Sequence, residues 1–425
     1  MQRNYGSAPK DYSRLSEAEK TFFAFLTRFV SDFDSSAIDA SQKLKDEGSQ
    51  FLRYCEYHGI CPRLHSPFTY QANPMAQTDP IDPVTRMYLV QLVRNTNALH
   101  QLKEIAIAFS EAGIPMIALK GTAAILWLYD DIACRQISDL DILVEHKHVR
   151  RAAEIMYSLG YWNDERSTRR SLEEELIAYK HLRPFIRQGS FNVEIHTSVF
   201  QSNGRVSIPT AELFAKSVPI GPEMPYLRRL STTHFILSTV VHYSRHLLAD
   251  IPPLKFILDG ALAVKKASAE IDWNEFWRIA DEWGVYRAAA IIMATIEHFW
   301  KLGIHGVPED AVPLPPEALI LGAIPISARE LVTTVNSAFE IWPGHPTAIW
   351  TRLSWARELP DTLSRIRYVL RIFFPVSAYI RHQYNVPQHC SVVPYYPLYF
   401  FELVQRFAAG FLSAVRRFAS RKGTA

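Results

Sequence analysis

The sequence predicts an α+β protein in which a small mixed sheet lies between two helical regions. Three observations predict it. Residues 84–112, and most of the chain after residue 209, carry apolar side chains at helical spacing. Between them the pattern shortens to apolar runs of a few residues and two-residue alternation, punctuated by Gly and Pro. Asp139, Asp141 and Glu194 all fall in that middle stretch, on its strand-like runs. The chain therefore divides into an N-terminal helical region (1–112), an α/β core (113–208) and a C-terminal helical region ending in a basic tail (209–425).

The bulk numbers agree with several packed units. A chain of 425 residues, 48% hydrophobic and 21% charged, has ordinary globular composition and room for two or three domains. The net charge of +3 is too small to argue for nucleic acid. From residue 351 onward, however, 11 Lys+Arg face 3 Asp+Glu, which leaves the first 350 residues net negative. The tail thus suits an anionic partner, whether membrane phosphate, nucleic acid or an acidic protein surface. Cys55, Cys61, Cys134 and Cys390 form no C-x-x-C pair, and Met1 to Lys20 lacks an apolar leader stretch. Both features point to reduced thiols and a cytoplasmic location, with peripheral membrane attachment open to the tail.

In order along the chain, Phe22, Phe23, Phe25 and Leu26 and then Phe51, Leu52 and Tyr54 predict amphipathic helices within 14–60. Leu99, Leu102, Ala106 and Phe109 lie on one face of a long helix that Gly113-Ile114-Pro115 ends. Met116 to Leu119 reads as a buried strand, which turns through Lys120-Gly121-Thr122 into a helix. Asp139 to Val144 alternates and then becomes apolar, as a strand does on entering a core. Ala152, Ile155, Met156 and Leu159 mark a helix closed by Gly160. Segments 180–187 and 191–196 form a hairpin through Gln188-Gly189-Ser190. Helices follow at 233–248, 257–267, 273–283 and 286–302. Ser391 to Val415 is the most apolar stretch, but Glu402 and Arg406 make it an interfacial or buried helix rather than a span.

The chemistry concentrates in the middle. On a strand, positions i and i+2 share a face, so Asp139 and Asp141 lie side by side while Leu140 and Ile142 enter the core. Adjacent carboxylates repel and are costly to bury, so such a pair calls for a cation. Mg2+ is the natural one, being held by one or two carboxylates plus substrate phosphates. In Val193-Glu194-Ile195-His196, Glu194 and His196 share the non-core face. If that strand lies beside 139–144, Glu194 completes a triad around one or two ions, as ligand, general base or both. The turn at Lys120, Gly121 and Thr122 offers free amides, a close-approach glycine, a hydroxyl and a positive charge to phosphate, although a plain strand–helix turn has the same outline. Arg135 can hold phosphate or pair with the acids. His196 and His246 suit outer positions around the acids or acceptor, His181 lies near Glu194 on the hairpin, and His242 reads as a packed histidine. Zinc lacks a ligand set.

Taken together, these stretches resemble the DNA polymerase β-like nucleotidyltransferase superfamily. More narrowly, they resemble a bacterial uncharacterised nucleotidyltransferase family. The matching stretches are Gly113-Ile114-Pro115 to Gly121, Arg135 to Val144, and Val193-Glu194-Ile195-His196, with His242 to His246 and Asp259 similar to a helical segment beyond them. The resemblance implies a nucleotidyltransferase core with Asp139, Asp141 and Glu194 as metal ligands, and Lys120-Gly121-Thr122 near the triphosphate. It implies a nucleoside triphosphate donor, and leaves the acceptor unidentified. Gly121-Thr122 departs from the Gly-Gly or Gly-Ser of better-known members, and Gly121 lies further before Asp139 than in their compact pattern. A phosphotransferase or a non-catalytic scaffold on the same fold are the competing readings.

Overall fold

The computed structural model describes residues 53–60, 83–163, 181–200, 208–221, 224, 226–246, 254–321 and 391–405, with scattered positions between 19 and 26 and between 366 and 390. Helix α1 (Pro83–Glu111) runs about 43 Å at 1.5 Å per residue. Its second half buries Ala98, Leu102, Ile105, Ala106 and Phe109, while Leu89, Val90 and Val93 on its first half stay exposed. Gly113 ends it with φ +69, where the amide of Ile114 returns to the Phe109 carbonyl at 2.8 Å.

The sheet has seven strands: β1 (Met116–Ala118), β2 (Leu140–Leu143), β3 (Trp162–Asn163), β4 (Phe185–Ile186), β5 (Val193–His196), β6 (Val218–Pro219) and β7 (Leu227–Arg229), in the spatial order β3-β4-β5-β2-β1-β7-β6. It is mixed. β1 pairs antiparallel with β2 and parallel with β7, and β2 pairs parallel with β5. The middle strands β1, β2 and β5 read Met-Ile-Ala, Leu-Asp-Ile-Leu and Val-Glu-Ile-His, apolar enough to be covered by helices. Helix α2 (Lys120–Trp127) packs on β2, and α3 (Val149–Ser158) packs against α1. Gln101 on α1 clamps the hairpin, giving its amide to the Phe191 carbonyl at 2.7 Å and taking the Phe191 amide at 2.8 Å. Asn95 holds the Arg135 carbonyl from the same helix at 2.7 Å.

Strands β6 and β7 were not anticipated, since the chain beyond 209 reads as helical apart from its breaks. The reason lies in composition. β7 is Leu227-Arg228-Arg229, and its second inward position is an arginine. Arg229 is buried with its guanidinium 3.7 Å from the centre of the Trp127 ring. A cation stacked on an indole replaces the apolar residue that would have marked a strand.

Beyond α4 (Thr210–Lys216), the helices α5 (Thr232–His246), α6 (Lys255–Ala267), α7 (Trp273–Glu282), α8 (Tyr286–Trp300) and α9 (Pro316–Leu321) follow. α5, α6 and α8 pack on one another, and α5 also meets α2. One continuous apolar core runs from Ile117, Ile142 and Ile195 in the sheet to Ile236, Leu262 and Ile296 in these helices. Asp272 caps α7 by accepting from the amides of Asn274 and Glu275. A separate small cluster joins Ile380, Val386, Val392, Tyr399 and Leu403, beside which Leu398, Phe401 and Val404 are exposed. No described helix is long and apolar enough to cross a membrane. Cys55, Cys134 and Cys390 are free thiols. Cys61, the helical stretch expected before residue 53 apart from Glu19, Lys20, Ala24 and Leu26, and the basic residues after 405 lie outside the described residues.

Candidate metal and nucleotide centre

The site is assembled by strand register. β2 and β5 run parallel with Asp141 opposite Glu194 and Leu143 opposite His196. Leu140, Ile142, Val193 and Ile195 are fully buried around them, so the sheet is fixed by apolar packing and the acids follow from alternation. Asp141 itself is buried, and Glu194 is partly exposed at the sheet's rim.

His196 gathers the acids. Its Nε2 is 2.7 Å from Asp141 Oδ1 and 3.3 Å from Glu194 Oε2, so that nitrogen carries the proton. Its Nδ1 is buried without a partner. His181 bridges to His196 in the sheet and places its Nε2 4.0 Å from Glu194 Oε2. Asp141, Glu194 and His196 form the group of described residues able to hold a metal ion, each offering an atom within 4.8 Å of the others.

Asp139 stands apart from that group. Strand β2 begins at Leu140, and Asp139 sits in the bend before it, half-buried, accepting from Ser138 Oγ at 2.7 Å. The expected side-by-side strand pair is therefore replaced by a bend residue above a strand residue. The two still sense each other. Burial first, and then the Asp141 charge, raise the Asp139 pKa; Ser138 and Lys120 lower it less, and the Glu194 charge adds least to the rise. Burial also works to raise Asp141, but Lys120 and His196 outweigh it and hold that carboxyl well below the usual range. Glu194 is likewise lowered: burial and the Asp141 charge oppose ionisation, and the His196 hydrogen bond together with the His181 and His196 charges outweighs them. Asp139 thus carries the strain of a site short of positive charge. A divalent cation fits the paired carboxylates, with the protonated Nε2 of His196 bonding them from outside the ion's own shell.

Lys120 is the cation now present. Its Nζ lies 2.6 Å from Asp141 Oδ1. It begins α2 with φ +47, a left-handed backbone that costs a lysine roughly 1–2 kcal/mol. Lys301, at the C-terminus of α8, shares this feature among the described non-glycine residues. Burial opposes its charge, yet the carboxylates of Asp141, Glu194 and Asp139 raise its pKa. No side chain caps this helix at Leu119, so the first amides of α2 have no side-chain acceptor there. Thr122 is buried, with its hydroxyl 3.5 Å from the Asp139 carbonyl, an interaction that ties the turn to the bend.

Gly121 and Arg135 turn out to be linked. A Cβ on Gly121 would lie 3.0 Å from Ile137 Cγ2 and 3.2 and 3.3 Å from the terminal nitrogens of Arg135. The close approach that this glycine allows is to that guanidinium. Arg135 in turn is brought to neither Asp139 nor Asp141. It is 1% exposed and pairs with Asp259, Nη2 to Oδ2 at 2.7 Å and Nε to Oδ1 at 3.0 Å, with Tyr129 donating to the same carboxylate at 2.8 Å. Gly121→Ala is expected to cost about 1–3 kcal/mol, because both neighbours are buried and cannot yield. Urea denaturation measures it, and a loss under about 0.5 kcal/mol would mean that the turn relaxes freely.

Asp259 and Lys255 are the residues whose place near the site sequence reasoning missed. They lie four apart on α6 and so share a helix face. That spacing was a signal, but nothing local ties it to Arg135. His242 packs edge-on against Phe256, with ring centres 4.4 Å apart, as a packed histidine does. The side chain of His246 lies outside the described residues.

A family model described as "uncharacterised nucleotidyltransferase" matches residues 45–301, a span that includes all of these positions. No curated protein and no solved structure matches significantly.

Proposed function

The chain belongs to the uncharacterised nucleotidyltransferase family, and from that premise we propose that it moves a nucleoside monophosphate from a triphosphate to an acceptor hydroxyl, releasing pyrophosphate. The observation that carries this reading is the in-register pairing of Asp141 with Glu194, with a third carboxylate, Asp139, two residues before Asp141 in the bend that leads into the same strand. The sequence stretches that carry these acids are the ones that resemble the DNA polymerase β-like nucleotidyltransferases.

In this reading Asp139, Asp141 and Glu194 hold one or two Mg2+ ions. Such ions, when bound, lower the pKa of an attacking hydroxyl and neutralise the departing pyrophosphate. The remaining work belongs to the chain. Asp141 is kept ionised by Lys120 and His196, so it meets a cation without first losing a proton. Glu194, at the rim and also ionised, is placed to take the proton of the acceptor hydroxyl as its oxygen bonds the α-phosphorus and the bond to the pyrophosphate oxygen breaks. His196 orients both carboxylates from beneath, as an outer-sphere histidine does. The opening amides of α2 and the ammonium of Lys120 face phosphate. Residues 113–208 form the catalytic core, and the helical regions shape the acceptor pocket.

The test is product analysis. Full-length protein with Mg2+ and each of the four ribonucleoside triphosphates is expected to release pyrophosphate from one of them in the presence of a hydroxyl acceptor, and EDTA is expected to stop it. Release of nucleoside diphosphate instead would move the reading to a phosphotransferase. Failure of every nucleotide to bind with or without Mg2+ would leave a scaffold on the same fold.

A further inference from the structure

We infer that Lys255 is a phosphate-binding residue, supplying the positive charge for the polyphosphate tail of the donor on the Asp139 side of the site. The inference rests on the nucleotidyl-transfer reading for the identity of the donor, and on the geometry below for the charge.

Lys255 opens α6, and its side chain lies across Gly59. A Cβ on Gly59 would stand 2.6 Å from Lys255 Cδ and 3.1 Å from its Nζ, and 3.3 Å from Gln136 Oε1. Gly59 also has φ +66. The positive φ favours glycine at position 59, and the lysine stem fills the space a side chain would take. The segment carrying Gly59 is tied to the site's approach by the Ile60–Arg135 bridge and by the Gln136 amide, which donates to the Gly59 carbonyl at 3.0 Å. Gln136 is three residues from Asp139.

The ammonium that results is half-buried and, among the described residues, forms no ion pair or hydrogen bond. Its neighbour is the Phe256 ring, 5.6 Å from Nζ to centre. Arg135 repels it, but that guanidinium is neutralised by Asp259. Burial and the Arg135 charge push the Lys255 pKa down to about 8, against the pull of Asp259 and Asp139. A cation held out of water without a counter-charge is costly, and an incoming anion relieves the cost. Lys120 differs, since Asp141 already engages it. Lysine meets phosphate as a point charge, with no demand for planar geometry.

The experiment is calorimetric titration of full-length wild type, Lys255→Met and Lys255→Arg with inorganic tripolyphosphate and with each ribonucleoside triphosphate, all with Mg2+. Lys255→Met is expected to weaken the accepted nucleotide and tripolyphosphate about tenfold or more, while Lys255→Arg stays within about threefold of wild type. In wild type, acylation of Lys255, followed by mass spectrometry, is expected to be suppressed by tripolyphosphate; this arm needs no variant to fold. Wild-type affinity in Lys255→Met for both ligands, or labelling of Lys255 that ligand leaves unchanged, overturns the inference while the donor reading stands. Lys255-dependent binding of tripolyphosphate with no binding of any nucleotide keeps the phosphate assignment and removes the nucleotide donor. Binding of neither ligand by wild type overturns both.

Discussion

Replacing Asp141 by Asn is expected to slow nucleotidyl transfer by at least about a thousandfold, since metal stabilisation of transition-state charge is worth several kcal/mol and each 1.36 kcal/mol is a factor of ten. Asp141 is the buried hub of the site. Lys120 and His196 both converge on its Oδ1, it lies opposite Glu194 in register, and its charge is felt at Asp139. Asparagine keeps the shape and one acceptor but removes the charge, so the strand should persist while the cation site fails. The measurement pairs a transfer assay with thermal unfolding. A lowered but still cooperative melt, with transfer reduced to background in the folded protein, is the expected combination. Retention of more than about a tenth of wild-type transfer in a folded Asp141→Asn protein would sink the assignment of this carboxylate as a metal ligand.

The second large effect concerns stability. Asp259→Ala is expected to destabilise the fold by about 3–5 kcal/mol, because it leaves the Arg135 guanidinium buried and uncompensated. Arg135 and Asp259 are each within 2% of complete burial, and Tyr129 loses its acceptor at the same time. The double replacement Arg135→Met/Asp259→Leu is expected to regain most of the loss, since a well-packed apolar pair often equals a buried ion pair. Denaturant unfolding of the two variants separates these cases. A single-variant loss below about 1 kcal/mol would mean that water reaches the guanidinium.

The contrast between these residues explains what was legible in the sequence. The Asp141–Glu194 pair could be read because two-residue alternation is local: Leu140 and Ile142 must enter the core, so Asp141 cannot. The pairing of the two strands was only a condition in the sequence; the parallel register of β2 with β5 is supplied by the fold. Asp139 was misplaced by one residue, because alternation does not say where a strand starts, and Ser138 and Asp139 favour a bend that hydrogen-bonds locally. Arg135 was left open between phosphate and the acids. Its partner lies 124 residues further along the chain, and no local pattern carries that information. Strand β7 escaped for a related reason: Arg229 is satisfied by Trp127, a stacking partner that only the assembled fold supplies.

The contact between Gly121 and Arg135 has a consequence for motion. The guanidinium touches the opening turn of α2 on one side and is held by Asp259 on the other, and Asp259 lies one helical turn from Lys255. The turn proposed for phosphate and the helix carrying Lys255 are therefore joined through two close contacts, Gly121 to Arg135 and Arg135 to Asp259. A hinge that opened the cleft by swinging α6 away from the sheet would have to break a buried ion pair on every turnover. A pivot elsewhere in the chain would leave that pair intact.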